Sequence, residues 1–135
     1  INIMKNFVRT ALCAVLLIAT SSLTPLMVAP SLANNSAEAV VDIYMNGLFA
    51  GDIETIKQCI GKDLKKRHKN TFKDPAYSRF LMNRYDGATF RIIQKKEREN
   101  GTKIVDVRIT FRDNNSMAIR LILDQGNKIL NEIIL

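Results

Sequence analysis

From Thr89 to the end of the chain, apolar and polar residues alternate in four runs, and the breaks between the runs consist of turn residues. The runs are Thr89–Glu99, Thr102–Arg112, Ser116–Asp124 and Lys128–Leu135. They are joined by Asn100-Gly101, Asp113-Asn114-Asn115 and Gln125-Gly126-Asn127. A period of two marks strands with one face turned to a core, and loops this short allow only antiparallel neighbours. The result is a four-stranded meander with one almost wholly apolar face. That face must be covered, and the residues ahead of Thr89 have to supply the cover.

The spacing also predicts a register. A two-residue turn at 100–101 pairs Phe90 with Phe111, Ile92 with Ile109 and Gln94 with Val107. Three-residue loops at the next turns pair Ile109 with Ile119, Val107 with Leu121, Leu123 with Ile129 and Ile119 with Ile133. A slip of one residue would turn these apolar sets to opposite faces. On the other face the same register sets Lys95 across from Asp106 and Arg120 across from Glu132, favourable charge pairs that played no part in choosing it.

Upstream, Ala37, Val40, Val41, Tyr44, Met45, Leu48 and Phe49 recur with the spacing of one helical stripe. Ser36 is its expected N-cap and Gly51 its end. Asp52 opens a second, shorter helix with Ile53, Ile56 and Ile60 on its apolar side. Asp74-Pro75 opens a third with Ala76, Tyr77, Phe80 and Leu81. The expected fold class is therefore α+β: N-terminal helices packed on a curved antiparallel four-stranded sheet.

Residues 1–33 read as an address rather than as part of this fold. Lys5 and Arg9 precede the apolar run from Ala11 to Ala19, and Ser31-Leu32-Ala33 offers small residues where a signal peptidase cuts. The expectation is a secretory signal peptide with a short N-terminal extension, and a single domain over residues 34–135 in the periplasm or outside the cell. Retention as a membrane anchor is the secondary reading, since Pro25 and Pro30 interrupt the apolar stretch. The whole chain carries a formal net charge of +7, which suits anionic partners without selecting one. Beyond residue 33, Cys59 and His68 stand alone, too few for a metal site. No cofactor is expected.

Two stretches resemble a known family. One is Ala39-Val40-Val41-Asp42-Ile43-Tyr44 leading to Gly51-Asp52. The other is Asp124-Gln125-Gly126-Asn127-Lys128-Ile129 with Ile133-Ile134. Together with the helices-then-meander order, they resemble the nuclear-transport-factor-2-like superfamily, whose fold is the cystatin-like α+β roll, and in particular its small exported bacterial members. That resemblance implies a cone-shaped cavity between helices and sheet. It also implies a choice among isomerases, dehydratases and non-catalytic binding modules, many of which dimerise through the outer side of the sheet.

Catalysis of the isomerase or dehydratase kind needs an acid or histidine pointing into the cone. In the predicted register Asp106, Asp124 and Glu132 all face outward, so the sequence weighs against an enzyme and names no catalytic residue. The polar groups expected inside are Tyr44, Tyr85, Gln94 and Asn131, candidates for orienting a small apolar ligand. Lys62, Lys65, Lys66, Lys69 and Lys73 make a basic ridge suited to an anionic envelope surface. Nucleic acid is not the expected partner, because aromatic residues are sparse there. Ile93, Ile104, Ile122, Leu130 and Ile134 form an outward apolar strip, the expected interface of a homodimer. The leading expectation is an exported, non-catalytic binding or interaction module. The alternatives are an isomerase-like or dehydratase-like enzyme of the same fold and an envelope-surface adaptor acting through the ridge.

Overall fold

A computed structural model describes residues 35–135; the signal-peptide reading lies outside them. Among the described residues five helices precede the sheet: α1 (Ala37–Ala50), α2 (Ile53–Cys59), α3 (Lys62–Arg67), α4 (Lys69–Lys73) and α5 (Pro75–Arg84). The strands β1 (Thr89–Glu97), β2 (Lys103–Thr110), β3 (Ser116–Leu123) and β4 (Ile129–Ile134) follow in the spatial order β1-β2-β3-β4. The molecule is thus the expected α+β architecture, with the basic stretch folded as the two short helices α3 and α4. None of the helices among the described residues is long and apolar enough to cross a membrane.

Each helix boundary follows from local chemistry. The Ser36 side chain accepts from the Ala39 amide at 3.2 Å and opens α1. Gly51 closes it with φ 64°, a left-handed conformation in which a Cβ would also lie 2.4 Å from the Ser78 carbonyl oxygen. Asp52 and Asp74 cap α2 and α5, accepting from the Thr55 and Ala76 amides. The stripe on α1 is buried as read: Val40, Val41, Tyr44, Met45 and Leu48 meet Val105, Val107, Ile109, Ile119, Leu121, Leu123 and Ile129 of the sheet.

The register corrects the sequence reading in three places. All three hairpins use the same three-residue loop, ending in a left-handed residue: Gly101 (φ 80°), Asn114 (φ 66°) and Asn127 (φ 62°). The first turn is therefore not the two-residue type, and Phe90 pairs with Ile109 and Ile92 with Val107. The second loop begins one residue early, so Ile109 faces Met117 and Asp106 faces Arg120. The third correction comes from two bulges.

Ile93 bulges out of β1 and Leu130 out of β4. A bulge adds one residue to one strand and reverses the facing of everything beyond it. Beyond Ile93, Gln94 pairs with Asp106 on the outer face, and Lys95 pairs with Val105 on the helix side. Lys95 accordingly meets Glu38 of α1 rather than Asp106. Past Leu130, Glu132 pairs with Leu121 of the core face, while Asn131 pairs with Ile122 and Ile133 with Arg120. The expected Arg120–Glu132 pair does not form. Glu132 faces in.

On the outer face Arg120 grips Asp106 with two parallel hydrogen bonds, Nε to Oδ1 and Nη2 to Oδ2, both 2.8 Å. Asp106 is 4 % exposed. These bonds, helped by the guanidinium charge, hold its carboxyl below the ordinary value of 3.8 against the opposing effect of burial. A depressed folded-state value contributes stability that is complete above the ordinary aspartate range and lost as pH falls through the depressed value. Urea unfolding of Asp106→Asn between about pH 2 and 5 should show a shallower loss of stability with acid than the parent protein shows.

Candidate functional site

The inward turn of Glu132 builds a site. A cavity of about 300 Å³ opens between the helices and the end of β4. Tyr44 and Leu48 of α1, Ile56 of α2 and Leu64 of α3 form its apolar depth, and Phe72, Tyr77 and Tyr85 give it aromatic walls. Arg67, His68 and Arg84 stand around the same space, and Glu132 enters it from the sheet. The size is at the small end of the range for ligand pockets.

One bond organises the polar part. The Tyr44 hydroxyl donates to Glu132 Oε2 at 2.7 Å. Tyr44 is 5 % exposed. Burial first, and the Glu132 charge second, push its phenol well above the ordinary value, so it stays a donor. The same carboxylate adds to burial in raising Tyr77 on the facing wall. Among the described residues Tyr44 is the hydrogen-bond partner of Glu132, which leaves Oε1 available to a ligand.

The surrounding cations are engaged elsewhere. Arg67 Nη2 donates to the Leu130 carbonyl at 3.4 Å, bracing the bulge from α3. The Arg84 guanidinium lies 5.7 Å from the Tyr85 ring centroid and 5.9 Å from that of Phe111. β4 is fixed at the root of the bulge as well: Ile129 bridges to Ile60, and its carbonyl accepts from the Gly61 amide at 2.7 Å. Among the described residues no group of histidine, cysteine and carboxylate side chains could hold a metal ion.

Of the four residues expected to face a ligand, Tyr44 and Tyr85 line the cavity. Asn131 also contributes to the lining, although its register partner is Ile122 on the outer face. Gln94 is exposed on the outer face and is not part of the lining, because the Ile93 bulge reverses it. His68 is exposed and lies at the cavity. Cys59 is fully buried, and burial pushes its thiol up to about 11 despite the opposing charge of Lys128.

The other two expected surfaces are also in view. Lys62, Lys65, Lys66, Lys69 and Lys73 are exposed around a single groove on α3 and α4. The outer strip is altered. Ile93 and Leu130 are exposed at the two bulges, Ile122 is half-buried and Ile104 is only 9 % exposed. Ile134 leaves the strip, since it pairs with Ile119 of the core face, and Ile133 takes its place.

No protein-family model matches this chain, and no curated protein sequence does. Its structure is similar to the crystal structure of a Campylobacter jejuni protein provisionally named an NTF2-like transpeptidase, with a TM-score of 0.51. The match covers 75 % of this chain and 98 % of that one at 14 % sequence identity. The fold is the nuclear-transport-factor-2-like roll. At that identity the likeness extends to architecture alone, and in such a roll the chemistry depends on what faces the cone. Here that is Glu132, the acid that strict alternation places outside.

Within this nuclear-transport-factor-2-like cone the Tyr44 bond should be worth about 1 kcal/mol, the net of a hydrogen bond to a charged group that water can partly replace. Tyr44→Phe is expected to lower the urea-unfolding free energy by that amount at neutral pH while leaving the fold intact by circular dichroism.

Proposed function

We propose that this domain is an exported small-molecule-binding module whose ligand occupies the cone between helices and sheet. The observation that carries the reading is the Glu132 carboxylate, exposed at the mouth of an aromatic-walled cavity and held there by Tyr44 with one oxygen uncommitted. Such a mouth favours a flat, mostly apolar ligand with a cationic or hydrogen-donating group at one end. Tyr77 and Phe72 supply ring faces for that end, where a cation gains from both carboxylate and quadrupole. Export rests on the sequence of residues 1–33.

The chain has no Trp, so tryptamine can serve as both ligand probe and fluorescent reporter. Its emission is expected to shift to the blue on titration with the protein. Glu132→Gln keeps an acceptor for Tyr44 but removes the charge, and should weaken that binding about tenfold. An unchanged emission spectrum at high protein concentration would overturn the reading.

The inward acid also supports a second reading, proton transfer in the manner of an isomerase or dehydratase. Glu132 could accept a proton from a bound carbon acid, with Tyr44 steadying the carboxylate. Against it, Tyr44 spends its proton on the carboxylate itself rather than on a substrate oxygen. Washout of deuterium from the α-carbon of a bound ketone, lost in Glu132→Gln, would favour this reading over simple binding.

The outer strip supports self-association. Ile122 lies at its centre with Ile93, Leu130 and Ile133 around it, and a face-to-face contact between two copies would bury the same patch on each. Ile122→Glu places an unpaired charge in that contact. Sedimentation should show a dimer for the parent chain and a monomer for this variant; a parent chain that is monomeric at high micromolar concentration excludes the dimer.

A further inference from the structure

We infer that the outer side of α3 and α4 is a docking surface for an anionic phospholipid bilayer. The five exposed lysines Lys62, Lys65, Lys66, Lys69 and Lys73, with Lys57, surround one groove of about 700 Å³, and Asp63 is the single acid in its lining. Among the described residues, none of the five lies within ion-pair distance of a carboxylate. Their charge is therefore uncompensated on one side of the domain, at a density at which basic clusters bind anionic headgroups.

The ridge is also rigid. Leu64 and Phe72, on the same two helices, face the cavity and pack on the core, so the lysines are held on a fixed platform. Their long stems supply most of the groove's apolar surface and can lie against the headgroup layer while the ammonium groups reach phosphate. Single-stranded nucleic acid is a poorer fit, because it needs aromatic faces to stack on and the groove has only the half-buried Phe72.

The make-up of the groove favours a bilayer over a soluble anionic polymer. Aliphatic lysine stems and Phe72 give it apolar surface beside the ammonium groups. A headgroup layer over acyl chains offers both anionic and apolar contact, which a soluble polyanion does not.

The test is co-sedimentation of the full chain with vesicles of phosphatidylcholine alone and of phosphatidylcholine mixed with phosphatidylglycerol. Binding should be stronger to the anionic vesicles and fall steeply with added salt. Each Lys→Gln substitution in the ridge should weaken it about fivefold, and replacing all five should reduce it to the level seen with neutral vesicles. All five side chains are exposed, so circular dichroism should confirm an unchanged fold. A control variant with Arg91, Lys96 and Arg98 replaced by Gln, on and beside the exposed edge strand, should bind almost as the parent does. Three results would overturn the inference: equal binding to both vesicle types, an equal loss in the control variant, or tighter binding to soluble polyphosphate than to the anionic vesicles.

Discussion

The backbone of Ile129 is held from two sides, and the chemistry of the cone depends on that grip. One side is the ladder to Leu123 of β3, and the other is the Ile60–Gly61 segment between α2 and α3, whose Gly61 amide donates to the Ile129 carbonyl. With Ile129 pinned, the extra residue that β4 carries has to be absorbed immediately afterwards, at Leu130. Arg67 then braces the displaced carbonyl of Leu130 from α3. A strand that continued its alternation would present Glu132 to water beside Arg120. The bulged strand presents it to Tyr44.

The two polar contacts that result divide the labour of the sheet. Asp106 and Arg120 satisfy each other on the outer face, where a buried carboxylate without a partner would be costly. Among the described residues Glu132 has only Tyr44, and the cavity in front of it is open enough for water or a ligand to complete its hydrogen bonding. The saturated pair stabilises, whereas Glu132 keeps one oxygen for the ligand proposed above. The same face-switching moves Lys95 to the helix side, where Glu38 takes it up, so each bulge delivers one charged residue inward and each finds a partner on α1.

The helices and the core were legible because their signals are redundant: the stripe from Ala37 to Phe49, the caps at Ser36, Asp52 and Asp74, and the apolar set on β2 and β3 all point one way. The site was not, because it hangs on single residues. Reading Asn100-Gly101 as a two-residue turn mis-set β1, since Asn-Gly also serves a three-residue loop when Gly101 alone takes the left-handed conformation. The bulges did leave a mark in the sequence. Each falls on the second member of an apolar doublet, Ile92-Ile93 and Ile129-Leu130, where strict alternation already fails. Such a doublet marks a place where a bulge can sit, although Ile104-Val105 in β2 pairs without one, and every facing beyond it deserves to be read both ways.

The order of the strands has a consequence in time. Each strand pairs only with its neighbour in sequence, so the meander can form by successive short-range closures, which are fast. The clasp on β4 is of another kind: its Lys128–Gln58 contact joins residues seventy positions apart. Closing so long a loop is entropically slow, and local opening follows the same hierarchy in reverse. By this hierarchy the sheet forms ahead of the clasp, and the cone between helices and sheet closes last.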